Sequence, residues 1–412
     1  MGRWGWVMTP TPREGAQDRV PPGLVAVLTL AMMLPMFVLY AVGALGPQLV
    51  TDLRVSRTVL GVLPATGFTV AAVLSLWSGR IVDRLGARGA GAALFIVVGV
   101  SFAAMAFAGG FVLLVAAIAL CGVAQALANP VTNRVVAERI PPRARGTVVG
   151  IKQSGVQLAA LASGLGLPPI AAAWGWQAAL ACVPPVALVG LLATLRLPSA
   201  GRRSGRDGAP LLPSPPGRAL SWLLALQLCL GAGLAAVTTF VPLYAHQDLG
   251  ASQPHAALVL AGFGVSGILS RVLWTSVAGN RNDPSGSQLI LALFAAIAAA
   301  VMWLSSEVPE GNLALMWTGT IGIGATAVAA NAVSMLIVIN DRRFGPVGHA
   351  SALASCGFFA GFVVSPPLAG LLADTAGFGA TWALVVGAFL LATACATALQ
   401  RFARVGTAAP AG

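Results

Sequence analysis

Charge is scarce in this chain of 412 residues. It carries 24 Lys and Arg and 12 Asp and Glu, only 9% of the sequence, against about 25% in ordinary soluble domains. So few ionisable groups cannot clothe a water-soluble globule of this size, which excludes that class. Polar stretches are short too. The longest gap between apolar runs, 198–218, is too brief to fold as a catalytic domain, so no enzyme is expected. The five cysteines (Cys121, Cys182, Cys229, Cys356, Cys395) lie scattered in apolar runs with no CxxC. That spacing argues against disulfides and thiolate metal sites and reads as small buried hydrophobes. His246, His255 and His349 form no ligand cluster, and no cofactor is expected. No GxxxxGK[ST] loop exists, which excludes direct drive by ATP. The net charge of +12 raises the question of nucleic acid, but the arginines sit in short loops between apolar runs rather than on one solvated face.

What is abundant is apolar sequence. Hydrophobic residues make up 57% of the chain and recur in windows long enough to cross a bilayer, about 20 residues each. The runs predict twelve spans, near 24–47, 59–78, 90–108, 111–136, 147–172, 177–196, 219–243, 256–278, 288–305, 313–338, 349–372 and 380–400. Met1 to Pro22 is polar and proline-rich, unlike a signal peptide. One alternate set of loops and tails collects the arginines, in clusters such as Arg80, Arg84 and Arg88, Arg139, Arg143 and Arg145, and Arg202, Arg203 and Arg206. The opposite set holds only Arg54 and Arg57. The positive-inside rule then places both termini in the cytoplasm, which an even number of spans requires. The expected architecture is an all-α membrane protein with a cytoplasmic N-tail (1–23), a six-helix bundle (24–197), a cytoplasmic linker (198–218) rich in Pro, Gly, Ser and Arg, a second six-helix bundle (219–400) and a C-tail (401–412). An Arg-, Ala- and Gly-heavy composition suggests a GC-rich bacterial genome, and with twelve spans the expected location is the bacterial inner membrane.

The two halves repeat one another. Gly79-x-x-x-Asp83-x-x-Gly86 after the second span recurs as Gly279-x-x-x-Asp283-x-x-Gly286 after the eighth. Asn129 in GVAQALAN recurs as Asn331 in GATAVAAN. With Arg84 and Arg88, the first copy is similar to the cytoplasmic loop 2–3 signature of the major facilitator superfamily, and the twelve spans and central linker extend that resemblance over essentially the whole chain. The resemblance implies two bundles related by a pseudo-two-fold axis, rocking as a monomer around a midplane site. In the loop motif, glycines at 79 and 86 allow a tight turn and close helix approach. Asp83 suits a helix N-terminus or an arginine of the other bundle. Gly79, Asp83, Arg84, Gly86, Arg88, Gly279 and Asp283 are accordingly assigned to conformational gating.

Charge inside the membrane is the sharpest functional clue, because burying an ion near the bilayer centre costs roughly 2.5–3.5 kcal/mol or more. No acid lies deep in a span, whereas Arg134, Lys152 and Arg271 lie inside or near the inner end of one. Lys152 is the sole lysine. Arg271 sits about two-thirds along the eighth span, roughly 10 Å from its cytoplasmic end, and its fixed fork suits a carboxylate. The superfamily's oxalate/formate, monocarboxylate and nitrate branches also use an arginine on this helix, although where the monocarboxylate carriers place an Asp one turn earlier this chain has Gly267. Arg134 has a ready partner in Glu138 at i+4. Amides add a polar stripe at Gln125, Asn129 and Asn133, with Gln153 and Gln157 sharing a face of the fifth span. The expected substrate-binding set is Arg271, Lys152, Asn129, Gln157, Asn331 and Tyr40. The expected function is secondary or facilitated transport of a small organic anion by alternating access, with a proton as the candidate coupling ion and Lys152 as a candidate carrier for it. The alternative is multidrug efflux by drug/proton antiport, for which Trp274, Phe358 and Phe359 could supply apolar surface. It lacks an acidic site for cationic drugs, and the fifth span lacks the Gly-Pro pattern of the antiporters.

Overall fold

The computed structural model describes residues 22–195, 217–279, 285–308, 312–340, 344 and 347–407. Among these, twelve helices run in order: α1 (Pro22–Ala44), α2 (Gly46–Leu53), α3 (Arg57–Ala106), α4 (Phe111–Arg139), α5 (Pro142–Ala181), α6 (Val183–Leu195), α7 (Arg218–Gln247), α8 (Gln253–Gly279), α9 (Ser285–Glu307), α10 (Leu313–Asn340), α11 (Val347–Thr375) and α12 (Gly377–Thr407). Nearly all of the expected N-tail and linker fall outside the described residues.

Helices form here because a backbone in hydrocarbon must satisfy its own hydrogen bonds. Their outward faces are apolar as well: Phe107, Val112, Trp174 and Leu273 stand largely exposed, a surface that suits lipid and not water. Among the described residues, ten helical segments are long and apolar enough to cross a membrane. Twelve crossings were expected from the runs, and the difference has a local cause. The second and third expected spans join in the 50-residue α3, and the fifth and sixth in the 49 residues of Thr147–Leu195. Both joints are marked by a glycine at positive φ, Gly86 (φ 71°, ψ 166°) and Gly175 (φ 83°, ψ 161°), conformations costly for any residue with a Cβ.

Between helices, lipid offers no hydrophobic drive, so close packing through small residues carries the association. A Cβ on Gly61 would strike the Pro366 carbonyl, and one on Gly164 would meet the Ala257 carbonyl. These two contacts lie on the seams α3–α11 and α5–α8 that join the first half of the chain to the second. Exchanging the halves maps one seam onto the other, because the second and eleventh spans correspond in the repeat to the eighth and fifth.

Candidate functional site

Toward the arginine-rich face, α4, α5 and α8 converge on a polar cluster. Lys152, on α5, is fully buried, and its Nζ donates to Thr132 Oγ1 of α4 at 2.9 Å. That hydroxyl in turn donates to the Ala128 carbonyl of its own helix at 2.7 Å. One residue on, Gln153 Nε2 donates to Asn129 Oδ1 at 3.0 Å. The Gln153 main-chain carbonyl accepts Arg271 Nη1 from α8 at 2.9 Å, across the seam. Arg271 itself is 8% exposed, and its Nε is buried without a hydrogen-bond partner.

Glycine makes this approach possible. On α8, Gly264 and Gly267 face α5, and a Cβ on either would fall 2.7 Å from an atom of Gln157. Gln157 therefore lies over Gly267, one turn from Arg271, with its Oε1 buried and unpartnered. Tyr40, on α1, is buried with its ring centroid 6.5 Å from that of Phe263 on α8. Arg271 lies within electrostatic reach of both Tyr40 and Lys152.

The electrostatic outcome is unusual for a membrane interior. Among the described residues, neither Lys152 nor Arg271 has a carboxylate within ion-pair distance, whereas ion pairs such as Arg57–Asp248, Arg134–Asp83 and Arg134–Glu138 form elsewhere. Burying one ion carries a penalty of several kcal/mol even after relaxation. Two like charges in one cluster, each satisfied only by a hydroxyl or a carbonyl, leave a positive potential that an oxyanion would neutralise with shorter, stronger bonds.

Of the six expected binding residues, the fold gathers Arg271, Lys152, Asn129, Gln157 and Tyr40. Asn331, half-buried on α10, makes no side-chain hydrogen bond with the described residues. The amide stripe on α4 divides: Gln125 Nε2 ties α4 to α1 through the Pro35 carbonyl at 3.1 Å, while Asn133 is exposed. Thr132 is the member that the sequence does not single out. It lies three residues after Asn129 on the same helical face, which is the one signal that could have found it.

The expected gating residues form a separate cluster at the arginine-rich face. Asp83 Oδ1 accepts Arg134 Nη1 at 2.9 Å, and Arg134 Nε reaches Glu138 Oε1 at 2.8 Å. The partner of Asp83 thus comes from its own half of the chain and not from the other. A cleft of about 230 Å³ opens there between Gly79, Val82, Asp83, Pro130, Arg134 and Glu138. Arg84 is exposed and Arg88 half-buried. Gly86 makes the turn, but a Cβ on Gly79 would meet open space, so close helix approach does not require glycine there. Gly279 ends α8, and Asp283 lies outside the described residues.

Comparison with known proteins gives a consistent picture. The family model described as "Major Facilitator Superfamily" matches residues 27–343. A chloramphenicol efflux pump of Mycobacterium tuberculosis (strain H37Rv) is 27% identical over 376 residues, covering 88% of this chain and 87% of that protein. A hexuronate transporter of Bacillus subtilis (strain 168) is 26% identical over 174 residues, 42% of this chain and 41% of that one. Among solved structures, a bacterial homologue of the human lysosomal transporter Spinster, inward-facing and unoccupied, superposes with a TM-score of 0.71 at 16% identity, covering 93% of this chain and 98% of that one. A D-xylose–proton symporter gives 0.71 at 19% identity, with coverage of 90% and 96%.

Proposed function

The chain belongs to the Major Facilitator Superfamily, and on that premise we propose that this multi-pass membrane transporter carries a small organic anion by alternating access of its two halves. Arg271 and Lys152 attract the anion. Asn129, Gln157, Asn331 and Tyr40 orient it. The observation that carries this reading is the pair of buried cations, Lys152 and Arg271, with no carboxylate beside them among the described residues. A purely structural cation in hydrocarbon would be expected to bring its own counter-ion. The free Arg271 Nε offers a further donor on the planar fork that binds carboxylates in two-pronged fashion. A flip of the Gln157 amide would exchange its unpartnered oxygen for an NH2 donor.

We place the protein in a bacterial cell membrane as a monomer with both termini cytoplasmic, following the arginine distribution. The spans hold no deep carboxylate in the sequence, so a coupled proton would travel on Lys152 or on the substrate. The motif residues Gly79, Asp83, Arg84, Gly86 and Arg88, with Gly279 and Asp283 of the second copy, serve the conformational cycle.

Efflux of lipophilic compounds is the second reading, favoured by the relative that is named for chloramphenicol efflux and matches most of the chain. An aromatic wall on the α3–α11 seam is compatible with it: the Phe68 ring lies 4.5 Å from Phe362 and 5.7 Å from Phe359. The hexuronate transporter, named for a sugar carboxylate, favours the anion.

Thermal melting of the purified protein separates the two. A ligand at about 100 times its Kd stabilises by about 2.7 kcal/mol. We expect acetate, benzoate, oxalate or D-glucuronate to raise the melting temperature of the wild type, and of neither Arg271→Ala nor Lys152→Ala. A shift by chloramphenicol or tetraphenylphosphonium alone, equal in all three proteins, would replace the anion reading with efflux.

A further inference from the structure

At the face opposite the arginine-rich loops, the two halves are joined by a compact polar network. Ser56 caps α3 from within its own chain segment, accepting the Val59 amide at 3.2 Å. The preceding amides at the start of α3 are taken by the other half. Asp374, in the last turn of α11, accepts Arg57 N–H at 3.1 Å on one carboxylate oxygen. Its other oxygen accepts Thr58 N–H at 2.8 Å and the Thr58 hydroxyl at 2.7 Å. The Arg57 side chain completes the join. Its Nε donates to Gln247 Oε1 at 3.0 Å and its Nη1 to the Ala373 carbonyl at 2.8 Å. Nη2 stands 3.6 Å from Asp248, and the guanidinium lies 4.5 Å from the Phe378 ring centre. Gly370 lets the backbones meet, because a Cβ there would strike the Arg57 carbonyl. Nearby, Gln48 of α2 bonds Gln253 of α8 at 3.0 Å.

Every partner of Arg57 and Thr58 named here lies in the second half of the chain. A helix start has unsatisfied N–H groups and a positive dipole end, so a carboxylate is its best cap. Here that cap comes from the other half, and separating the halves at this face strips α3 of it. The Asp83–Arg134–Glu138 cluster at the opposite face is different in kind, since all its partners share one half and would move together.

We propose that Asp374 and Arg57 form the latch that closes the arginine-poor face, with Asp374 acting as a detachable cap on α3. Opening the central site to that face requires breaking this set of contacts; opening it to the other face leaves them intact. The latch does not depend on the chemistry of the substrate, only on motion of one half against the other. Asp374 and Thr58 are reached by solvent at the rim, so water takes over the freed N–H groups and the latch is reversible.

The test uses the full chain in lipid nanodiscs, with the five native cysteines replaced and spin labels at Gly109→Cys and Val308→Cys, one in each half at the latched face. The unmodified latch is expected to give one predominant distance, which opening of this face lengthens. Asp374→Ala should raise a longer-distance population at least tenfold, and Asp374→Asn, which keeps one acceptor oxygen, by a smaller factor. Amide hydrogen exchange at Thr58 should quicken in both. Unchanged distances and exchange in a folded Asp374→Asn protein would overturn the latch. Asp52→Asn removes a charge from the same face outside the network. A shift there equal to that of Asp374→Asn would assign the effect to net charge and also overturn it.

Discussion

Lys152 and Arg271 show how far single residues can be read. The sole lysine of the chain and an arginine two-thirds along an apolar run are conspicuous against hydrocarbon, because each must be compensated. Both were expected in one binding set, but the contacts that bring them together were not legible, since these depend on how α5 meets α8. Nor was the partner of Lys152. A serine or threonine hydroxyl in a helix can always return to the carbonyl one turn back, so spacing does not say which hydroxyl also receives a tertiary bond. Thr132 does both. That double role makes Lys152→Met informative, because Thr132 keeps its bond to Ala128 when the ammonium is gone. Removing a buried charge without stranding a partner is neutral or stabilising, by up to a few kcal/mol. We expect the melting temperature of Lys152→Met at or above the wild-type value, together with loss of the anion-induced shift. A protein that melts lower but still responds to the anion would make Lys152 a structural group.

At the scale of elements, the apolar runs located the helices but not their joints. The second and third runs were separated by residues 79–89, which read as a loop. In the fold, helix continues on both sides to a single non-helical residue, Gly86. Polar composition marks where a chain leaves the bilayer, whereas hydrogen bonding decides where helix stops, and the two need not coincide. Gly79 and Gly86 read alike as motif glycines and differ in the structure. Gly86→Ala places a Cβ in a conformation costing about 1–3 kcal/mol, so its melting temperature should fall by several degrees. Gly79→Ala puts a methyl into open space within a helix, where alanine is favoured over glycine by about 0.5–1 kcal/mol, and should melt at or slightly above the wild type. Equal effects at the two sites would show that the turn at 86 is not what the glycines serve. The inward-facing pair at Gly264 and Gly267 follows the same logic between helices: there the missing Cβ makes room for a neighbour, Gln157, and not for a backbone angle.

For the whole molecule, the internal repeat implied two halves, and the seams α3–α11 and α5–α8 are where the halves meet. Both seams run on close backbone contacts at Gly61, Gly164 and Gly370, supplemented by Arg271 toward the arginine-rich face and by Arg57 and Asp374 at the opposite rim. If the halves fold as separate bundles, a chain divided within 198–218 should still assemble. Co-expression of 1–206 and 207–412, with a tag on one fragment, should recover both by affinity purification in detergent. Gly164→Trp, which overfills the α5–α8 seam, should reduce that recovery several-fold. Recovery of the tagged fragment alone would show that the α3–α11 and α5–α8 seams do not suffice to join two separate bundles.

Membrane crossing, helical class, repeat and the identity of the buried cations were set by the sequence alone. Each follows from a one-dimensional property: a run long and apolar enough to span hydrocarbon, a motif recurring at a near-constant offset, or a charge where charge is costly. Arg57 and Asp374 looked like an ordinary loop arginine and an ordinary helix-end acid. Lys152 and Arg271 were joined in one expected binding set, with nothing to say which groups would hold them. Only the tertiary structure made the first pair a join between halves and set the second on its partners, the Thr132 hydroxyl and the Gln153 carbonyl. Such relations rest on which helix faces touch, and helices that are apolar all round carry no stripe to announce that face. It is decided by the three-dimensional fit of glycines against carbonyls.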